Sequence, residues 1–396
     1  MSALPAMLPP PAWLALPAGQ ALLAALDCAA GASQLVGGAV RDPLLGLVAK
    51  DVDFATIFPP DQVMQRLAAH GLKAVPTGLA HGTVTAVGEG LVAEITTLRR
   101  DVASHGRHAD VAFTNDWAAD AARRDFTINA LYAALPGGQI SDYWGGLADL
   151  AARQVRFIGD PLQRIAEDHL RILRFFRFSA RFADALDADG LAACTTRAND
   201  LMALSRERIA QELRGLLAVA NPLPVLAAML DAGIWLPVLP ELVVDRLPVL
   251  ARTMAAEAAA GLPPAWQRRL AALLPPDVAV AEAVAARLKL SKADRARLAA
   301  AVLPPGAPPY WPAAYADGAG AVVDRLLIAG EPAAAAPLIG WQRPPLPASG
   351  RDIIARGVAP GPEVARRLAM FERAWVAAGF PADAAVVGEM LDGAAR

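Results

Sequence analysis

The sequence predicts an α+β chain in which a small mixed sheet comes first and helices make up the rest. Three observations predict it. Short β-prone runs separated by turns fill residues 34 to about 150. Helical patterning takes over from about residue 151. Pro- and Gly-rich breaks then divide the helical region into successive pieces. With 396 residues, 55% hydrophobic and 19% charged, the chain is long enough for two to four domains and apolar enough to bury their cores. A formal net charge of −2 excludes a global basic field, so any contact with nucleic acid must come from local patches.

The elements follow in order. Residues 1–33 form a Pro- and Ala-rich lead, with a short helix expected over 18–30. Strands are expected at 34–36, 52–56, 82–87 and 91–97, the last two joined by a turn at 88–90, in a small mixed sheet with helices on one side. Residues 99–116 carry Arg99, Arg100, Asp101, Gly106, Arg107 and His108 and read as a polar loop in which His108 is solvated or touches a phosphate. A helix begins within 117–135, and 139–150 read as a strand and turn. Asp160 is a candidate N-cap and Pro161 suits a first helical position. One helix is expected from there to about 182, with Ile165, Ile172, Leu173, Phe176 and Ala180 on its apolar face. Ser205 is a plausible cap for a further helix over 204–217. Residues 303–312 and 343–350 read as linkers, and 350–368 as two helices about a turn at Gly357, Pro360 and Gly361.

The chemistry concentrates in residues 35–56, L-V-G-G-A-V-R-D-P-L-L-G-L-V-A-K-D-V-D-F-A-T. Gly37 and Gly38 let the backbone bend tightly and approach a bulky ligand. Asp51 and Asp53, read as part of a strand, share a face because side chains alternate with period two. Two such carboxylates repel unless a cation lies between them, and hard oxygen ligands suit Mg²⁺, which completes its shell with waters and substrate phosphates. The stretch therefore reads as a metal-dependent phosphate site, with the glycines and Arg41 on the phosphates and the aspartates on the metal. Glu94, on a neighbouring strand, is either a third carboxylate of this set or a surface residue. Two further motifs follow: R-R-D-F-T-I-N-A-L at 123–131, and E-D-H-L-R-I-L-R-F-F-R-F at 167–178, where Asp168 and Arg171 stand one helical turn apart.

Together the three motifs resemble those of the polymerase-β-like nucleotidyltransferases, in the version carried by class II CCA-adding enzymes (tRNA nucleotidyltransferases) and bacterial poly(A) polymerases. The resemblance covers about residues 34–217. It implies a nucleotidyltransferase head at 34–150, a helical neck at 151–220 containing a base-recognition helix, a helical body at 221–302 and a helical tail at 303–396. It implies that Asp51 and Asp53 are the catalytic, metal-holding residues. Arg124 and Asp125 would contact the nucleotide, with the Asp on the ribose hydroxyls. Asp168 and Arg171 would read the base, with Arg174 or Arg177 steadying the arginine. The implied activity is template-independent addition of CCA to the 3′ end of tRNA from CTP and ATP with Mg²⁺. A poly(A) polymerase is the alternative, although the basic-aromatic stretch and long basic C-terminus of that branch are not found. An inactive RNA- or nucleotide-binding module ranks below it, since both aspartates are present. Tyr143 and Trp144 stand where the family usually has Pro-Phe or Pro-Tyr after the Asp, a departure expected to affect packing.

Cys28 and Cys194 are the two cysteines, far apart, which suits a reducing compartment. No Lys or Arg precedes Arg41, so the apolar N-terminus lacks the positive region of a signal peptide, and no stretch reads as a membrane span. A cytoplasmic location is expected.

Overall fold

The structure is a computed structural model that describes residues 4, 5, 7–105 and 108–396, with 101–105 and 108–111 described by their backbone alone. It forms two compact units, residues 1–212 with 224–238 and residues 213–223 with 239–396.

The first unit begins with helix α1 (Pro17–Ala25) and strand β1 (Ser33–Val36), followed by α2 (Gly38–Leu44), β2 (Asp53–Thr56), α3 (Pro60–Ala69), β3 (Lys73–Gly78), β4 (Thr83–Gly88) and β5 (Leu91–Thr97). A hairpin, β6 (Arg99–His105) and β7 (His108–Phe113), leads to α4 (Trp117–Ala122), β8 (Leu131–Ala134), β9 (Ile140–Asp142) and α5 (Gly146–Ala151). Seven strands make one sheet in the order β3-β4-β5-β2-β1-β8-β9. It is mixed: β2 and β5 run parallel, in register Asp53↔Glu94, and the other pairs are antiparallel. β1 takes an interior place because Leu35 and Val36 are both buried, and Ser33 Oγ satisfies itself on Thr56 Oγ1 of β2 at 2.7 Å. α3 turns Val63 and Leu67 inward and packs on β3, β4 and β5.

Three expectations need correction. The 99–116 segment is not a loop: β6 and β7 pair as a separate two-stranded ribbon, whose backbone groups satisfy each other. Such a ribbon stands apart from the main sheet, so the succession of sheet strands does not announce it. Gly106 and Arg107, and the side chains of Asp101 and His108, lie outside what is described. Next, the helix begun at Trp117 stops at Ala122, so Arg124 and Asp125 sit in a turn that enters a short 3₁₀ segment, Thr127–Asn129, and then β8. Finally, the expected long helix is two: α6 (Pro161–Glu167) and α7 (Leu170–Phe182). Asp168 is extended at φ −149°, and its Oδ1 accepts from Leu170 N at 3.1 Å. That local bond competes with helix continuation, as Asp side chains commonly do. Asp160 does cap α6, accepting from Leu162 N at 2.9 Å, and Pro161 takes the first position. The apolar face of α7 is buried at Ile172, Leu173 and Phe176.

After α8 (Ala188–Thr196) comes α9 (Arg206–Leu217), which begins directly after Ser205, and α10 (Leu223–Asp231). The second unit carries α11 (Leu247–Ala259), α12 (Trp266–Leu273), α13 (Val278–Arg287), α14 (Lys292–Ala301), α15 (Trp311–Asp317), α16 (Ala319–Ala329), α17 (Pro332–Ala335), α18 (Gly350–Ile354), α19 (Pro362–Ala377) and α20 (Ala384–Ala395). The linkers at 303–310 and 342–349 and the turn between α18 and α19 fall where proline and glycine suggest. The interior of this unit holds a buried ionic group. Glu257 accepts from Arg268 and Arg269, and Asp324 from Arg268 and Arg297, at 2.7–2.9 Å. Removing one partner of such a group leaves a buried charge exposed to no counter-charge, which costs about 3–5 kcal/mol.

Candidate active site

The ends of β1 and β2, the first turn of α2, the turn after α4 and one side of α7 enclose a cleft of about 500 Å³ in the first unit. Gly37 links β1 to α2 at φ 65°, ψ −123°, on the side of φ that favours glycine, and its N–H donates to Leu131 O at 3.1 Å. The turn brings Gly38 and Ala39, at the start of α2, to the cleft wall, and the first N–H groups of a helix have no partner inside it.

Asp53 opens β2, and Asp51 lies just before it in a bend, not on the strand. The two still meet at the cleft. The strand extends in hydrogen bonding to Val52, whose carbonyl accepts from Glu94 N at 2.8 Å. Glu94 is thereby held beside Asp53. Burial, then Glu94, then Asp51 push the Asp53 carboxyl up to about 6, against a smaller opposing pull from Arg124. Among the described residues no three His, Cys, Asp or Glu side chains form a ready-made metal cage. The donor set is a carboxylate pair with a third carboxylate nearby, open to the cleft. This fits Mg²⁺, which is bound through one or two carboxylates and fills its shell with water and phosphate oxygens.

The opposite wall is an alternation of guanidinium and carboxylate. Arg41, buried, donates to Asp42 Oδ1 through Nε at 2.8 Å and Nη2 at 2.6 Å, and through Nη1 to Asn129 Oδ1. Its guanidinium lies 4.1 Å from the Phe182 ring centroid. Asn129 turns its amide to Asp125 Oδ1 at 2.9 Å. Asp125 Oδ2 receives Arg174 through Nε at 2.7 Å and Nη2 at 2.5 Å. Arg177 donates to Glu212 Oε2 at 2.5 Å, and Arg174 reaches Glu212 at 4.0 Å. At the other end, Arg181 donates to Asp42 Oδ2 at 3.0 Å. Burial alone would raise the Asp125 carboxyl; Arg174 and the Asn129 amide outweigh it and hold the group below the ordinary carboxylate range. Arg124 is held separately, donating to Tyr132 Oη at 3.0 Å and Asp120 Oδ2 at 3.1 Å, while Tyr132 donates to the same Asp120 oxygen at 2.7 Å.

The cleft thus gathers Gly37, Gly38, Arg41, Asp51, Asp53, Arg124, Asp125, Arg174 and Arg177, but not Asp168 or Arg171. Those two are not paired as expected, because the helix breaks between them. Asp168 Oδ2 accepts from Arg208 at 2.8 Å. Arg171 is bound by Glu167 at 2.6 Å and by the carbonyls of Arg164 and Arg123 at 2.9 and 2.8 Å. Sequence reasoning missed Asp42, Lys50, Asn129 and Arg181 at the cleft, and Asp120, Tyr132 and Glu212 behind it. Asp42 and Asn129 lie inside motifs already quoted. Arg181 continues the arginine spacing of α7 by one more turn. Only a long-range contact identifies Glu212, which lies on α9.

The pairing of Asp125 has a measurable consequence. A depressed carboxyl contributes stability that is present above its unfolded value, near pH 4, and is lost as pH falls through the lower folded value. Arg174→Ala leaves Asp125 buried without that partner. Because Arg174 is itself partly exposed, the expected cost at neutral pH is about 2 kcal/mol, below the figure for a fully buried pair. The gap from the parent protein should narrow as pH falls, first as Asp125 protonates in the variant, where burial raises it, and then as it protonates in the parent. Urea unfolding at neutral and acid pH measures it; an equal gap at both would contradict the assignment.

Comparison with known proteins supplies the family. The description "Poly A polymerase head domain" matches residues 33–156, and "Probable RNA and SrmB- binding site of polymerase A" matches residues 185–245. The chain is 34% identical over 370 residues to the CCA tRNA nucleotidyltransferase 1, mitochondrial, of Mus musculus, covering 88% of this chain and 83% of that protein. The Homo sapiens counterpart is 33% identical over 368 residues, with the same coverage. The Bacillus stearothermophilus CCA-adding enzyme, solved in complex with CTP, superposes with a TM-score of 0.75 at 26% identity, covering 95% of this chain and 98% of that one. On the fold, the cleft and these likenesses, the chain belongs to the class II CCA-adding enzymes, the tRNA nucleotidyltransferases of the poly(A) polymerase family.

Proposed function

We propose that the chain completes the 3′ end of tRNA by binding CTP and then ATP in this cleft, with Mg²⁺ on Asp51 and Asp53. The terminal 3′-hydroxyl of the tRNA attacks the α-phosphate, and pyrophosphate leaves. The observation that carries the reading is the meeting, in one cleft, of a repelling carboxylate pair and an arginine wall drawn from motifs far apart in sequence. When bound, Mg²⁺ supplies Lewis-acid stabilisation of the attacking and leaving oxygens. The chain's own groups do the rest. Gly37 and Gly38 let the triphosphate approach the backbone. Arg124 is aimed by Tyr132 and Asp120, and faces the nucleotide. Asp125 shares an oxygen between Arg174 and a ribose hydroxyl. Arg41 acts differently from the sequence expectation: with Asp42 and Asn129 already on its donors, it supports the phosphate turn more than it grips phosphate. No Ser or Cys nucleophile is needed, and both cysteines are buried.

In this reading the division into head, neck, body and tail serves nucleotide binding first and tRNA binding after it. A cytoplasmic location rests on two free cysteines and on the absence, among the described residues, of any helix long and apolar enough to cross a membrane. The mouse and human relatives are named mitochondrial, which leaves the compartment open between the two.

Asp53→Ala should abolish incorporation of both CTP and ATP into tRNA lacking its 3′ end, while the circular dichroism and melting of the protein stay near those of the parent. Near-normal turnover at ordinary Mg²⁺ would refute the metal assignment. In the same assay, long A tails from the parent protein would favour a poly(A) polymerase.

Base choice rests on hydrogen-bond chemistry. Cytosine and adenine each present an amino donor beside a ring-nitrogen acceptor; uracil and guanine present the reverse. An ionised Asp accepts and an Arg donates, so Asp168 with Arg171 matches the first pair and opposes the second. For that pairing, Asp168 must release Arg208 and Arg171 must release Glu167, which makes base reading a rearrangement of α6–α7 contacts. Asp168→Ala and Arg171→Ala should each lower C and A incorporation and shrink the preference over U and G, by about 5- to 150-fold for a bidentate contact. Single-nucleotide incorporation with each of the four triphosphates tests it, and unchanged preference in both variants would sink the idea.

A further inference from the structure

A second cleft, of about 400 Å³, lies in the second unit, outside every sequence motif, among residues of α11, α12, α16 and the 302–305 segment. Its walls are apolar, including Val249, Val302, Pro304 and Ile328, and two arginines, Arg246 and Arg252, open into it. Arg246 donates through Nε to Ala272 O at 3.1 Å, and Arg252 through Nε to Ile328 O at 3.2 Å. These carbonyls close the ends of α12 and α16, where a cation is favoured. Capping alone therefore accounts for one edge of each guanidinium. It does not account for the rest.

Among the described residues, neither guanidinium is paired with a carboxylate. Several other arginines of this unit do have such partners: Arg268, Arg269 and Arg297 bond Glu257 or Asp324, and Arg325, which also lines this cleft, gives Nη1 to Asp317 at 2.7 Å. Both side chains line the same cleft, and Arg246 is held below the usual arginine range by burial and then by the charge of Arg252. Arg252 is an exposed residue, and its stem packs on a glycine. It lies across Gly330, where an added Cβ would stand 2.6 Å from Arg252 Cδ, and Gly330 at φ 84° ends α16. Two guanidiniums without a carboxylate partner, half-buried at Arg246 and exposed at Arg252, have at this apolar cleft the charge and the fork-shaped donors that take a phosphate.

We propose that the Arg246–Arg252 cleft is a phosphate subsite that takes a phosphodiester of the RNA substrate's backbone. This rests on the proposed function for the choice of RNA. It also answers how a chain of net charge −2 holds a polyanion: through local cation pairs of this kind.

The test uses the full chain and tRNA lacking its 3′ end. Binding is measured against salt for the parent, for the Arg246→Gln/Arg252→Gln double variant and for the Arg246→Lys/Arg252→Lys double variant. The Gln pair should bind tRNA about tenfold more weakly, with a log K versus log[salt] slope shallower by roughly 1–2, while KM for CTP stays the same. The Lys pair keeps the charge but loses the Nε capping bonds, so it should recover most of the affinity and slope; a merely structural role would leave it as weak as the Gln pair. Unchanged tRNA affinity and slope in the Gln pair would overturn the proposal. So would inorganic phosphate raising the melting temperature of the parent alone with tRNA binding unaffected, which would mark a free-anion site. If the parent binds tRNA with the expected salt dependence yet incorporates no CTP or ATP, the failure lies with the proposed function and not with this subsite.

Discussion

Like-charge repulsion where the start of β2 meets the middle of β5, added to burial, is the constraint on which the cleft depends. The sheet register sets Glu94 directly across from Asp53, and the bend before β2 adds Asp51. The parallel pairing that causes this juxtaposition is the one parallel pairing in an otherwise antiparallel sheet. Burial first, and then the charges of Glu94 and Asp51, raise the Asp53 carboxyl to about 6, so a cation bound there would be favoured. The fold thus stores an unfavourable interaction that, in the proposed function, a divalent metal and a polyphosphate would relieve together.

The other wall answers with positive charge that is fixed in place before any ligand arrives. A continuous run joins Arg181, Asp42, Arg41, Asn129, Asp125, Arg174, Glu212 and Arg177. It ties α2, the turn after α4, α7 and α9 into one array. Each guanidinium has an acid behind it, which sets its direction and offsets the cost of burying it. The aromatic rings of Phe178 and Phe182 fill the spaces between the arginine planes. In the proposed reaction such preorganised charge would contribute to catalysis, because little need rearrange as the α-phosphate reacts.

Much of this was legible because it is local. The Gly-Gly turn, the β-prone runs, the Asp160–Pro161 helix start and the linkers announce themselves in adjacent residues. What escaped was non-local or competing. The β6–β7 ribbon pairs outside the main sheet, so the succession of sheet strands does not announce it. The break at Asp168 comes from a side chain outbidding the helix for one N–H, a choice hidden inside an otherwise helical pattern. Asp168 and Arg171, adjacent in sequence spacing, are consequently drawn to Arg208 and Glu167. Tyr132 and Asp120 acquire their part in the site only once β8 is set beside α4. Asp51, read as a strand residue, lies in the bend before the strand and still meets Asp53, because the cleft and not the strand face brings them together.

The most direct measurement of the central claim is a crystal structure of this chain with Mg²⁺ and a non-reacting CTP analogue. The account predicts a metal bound by carboxylate oxygens of Asp51 and Asp53 at about 2.0–2.1 Å, with analogue phosphate oxygens and water completing the shell. A nucleotide seated elsewhere, or a metal held by the phosphates alone with both aspartates turned away, would contradict it.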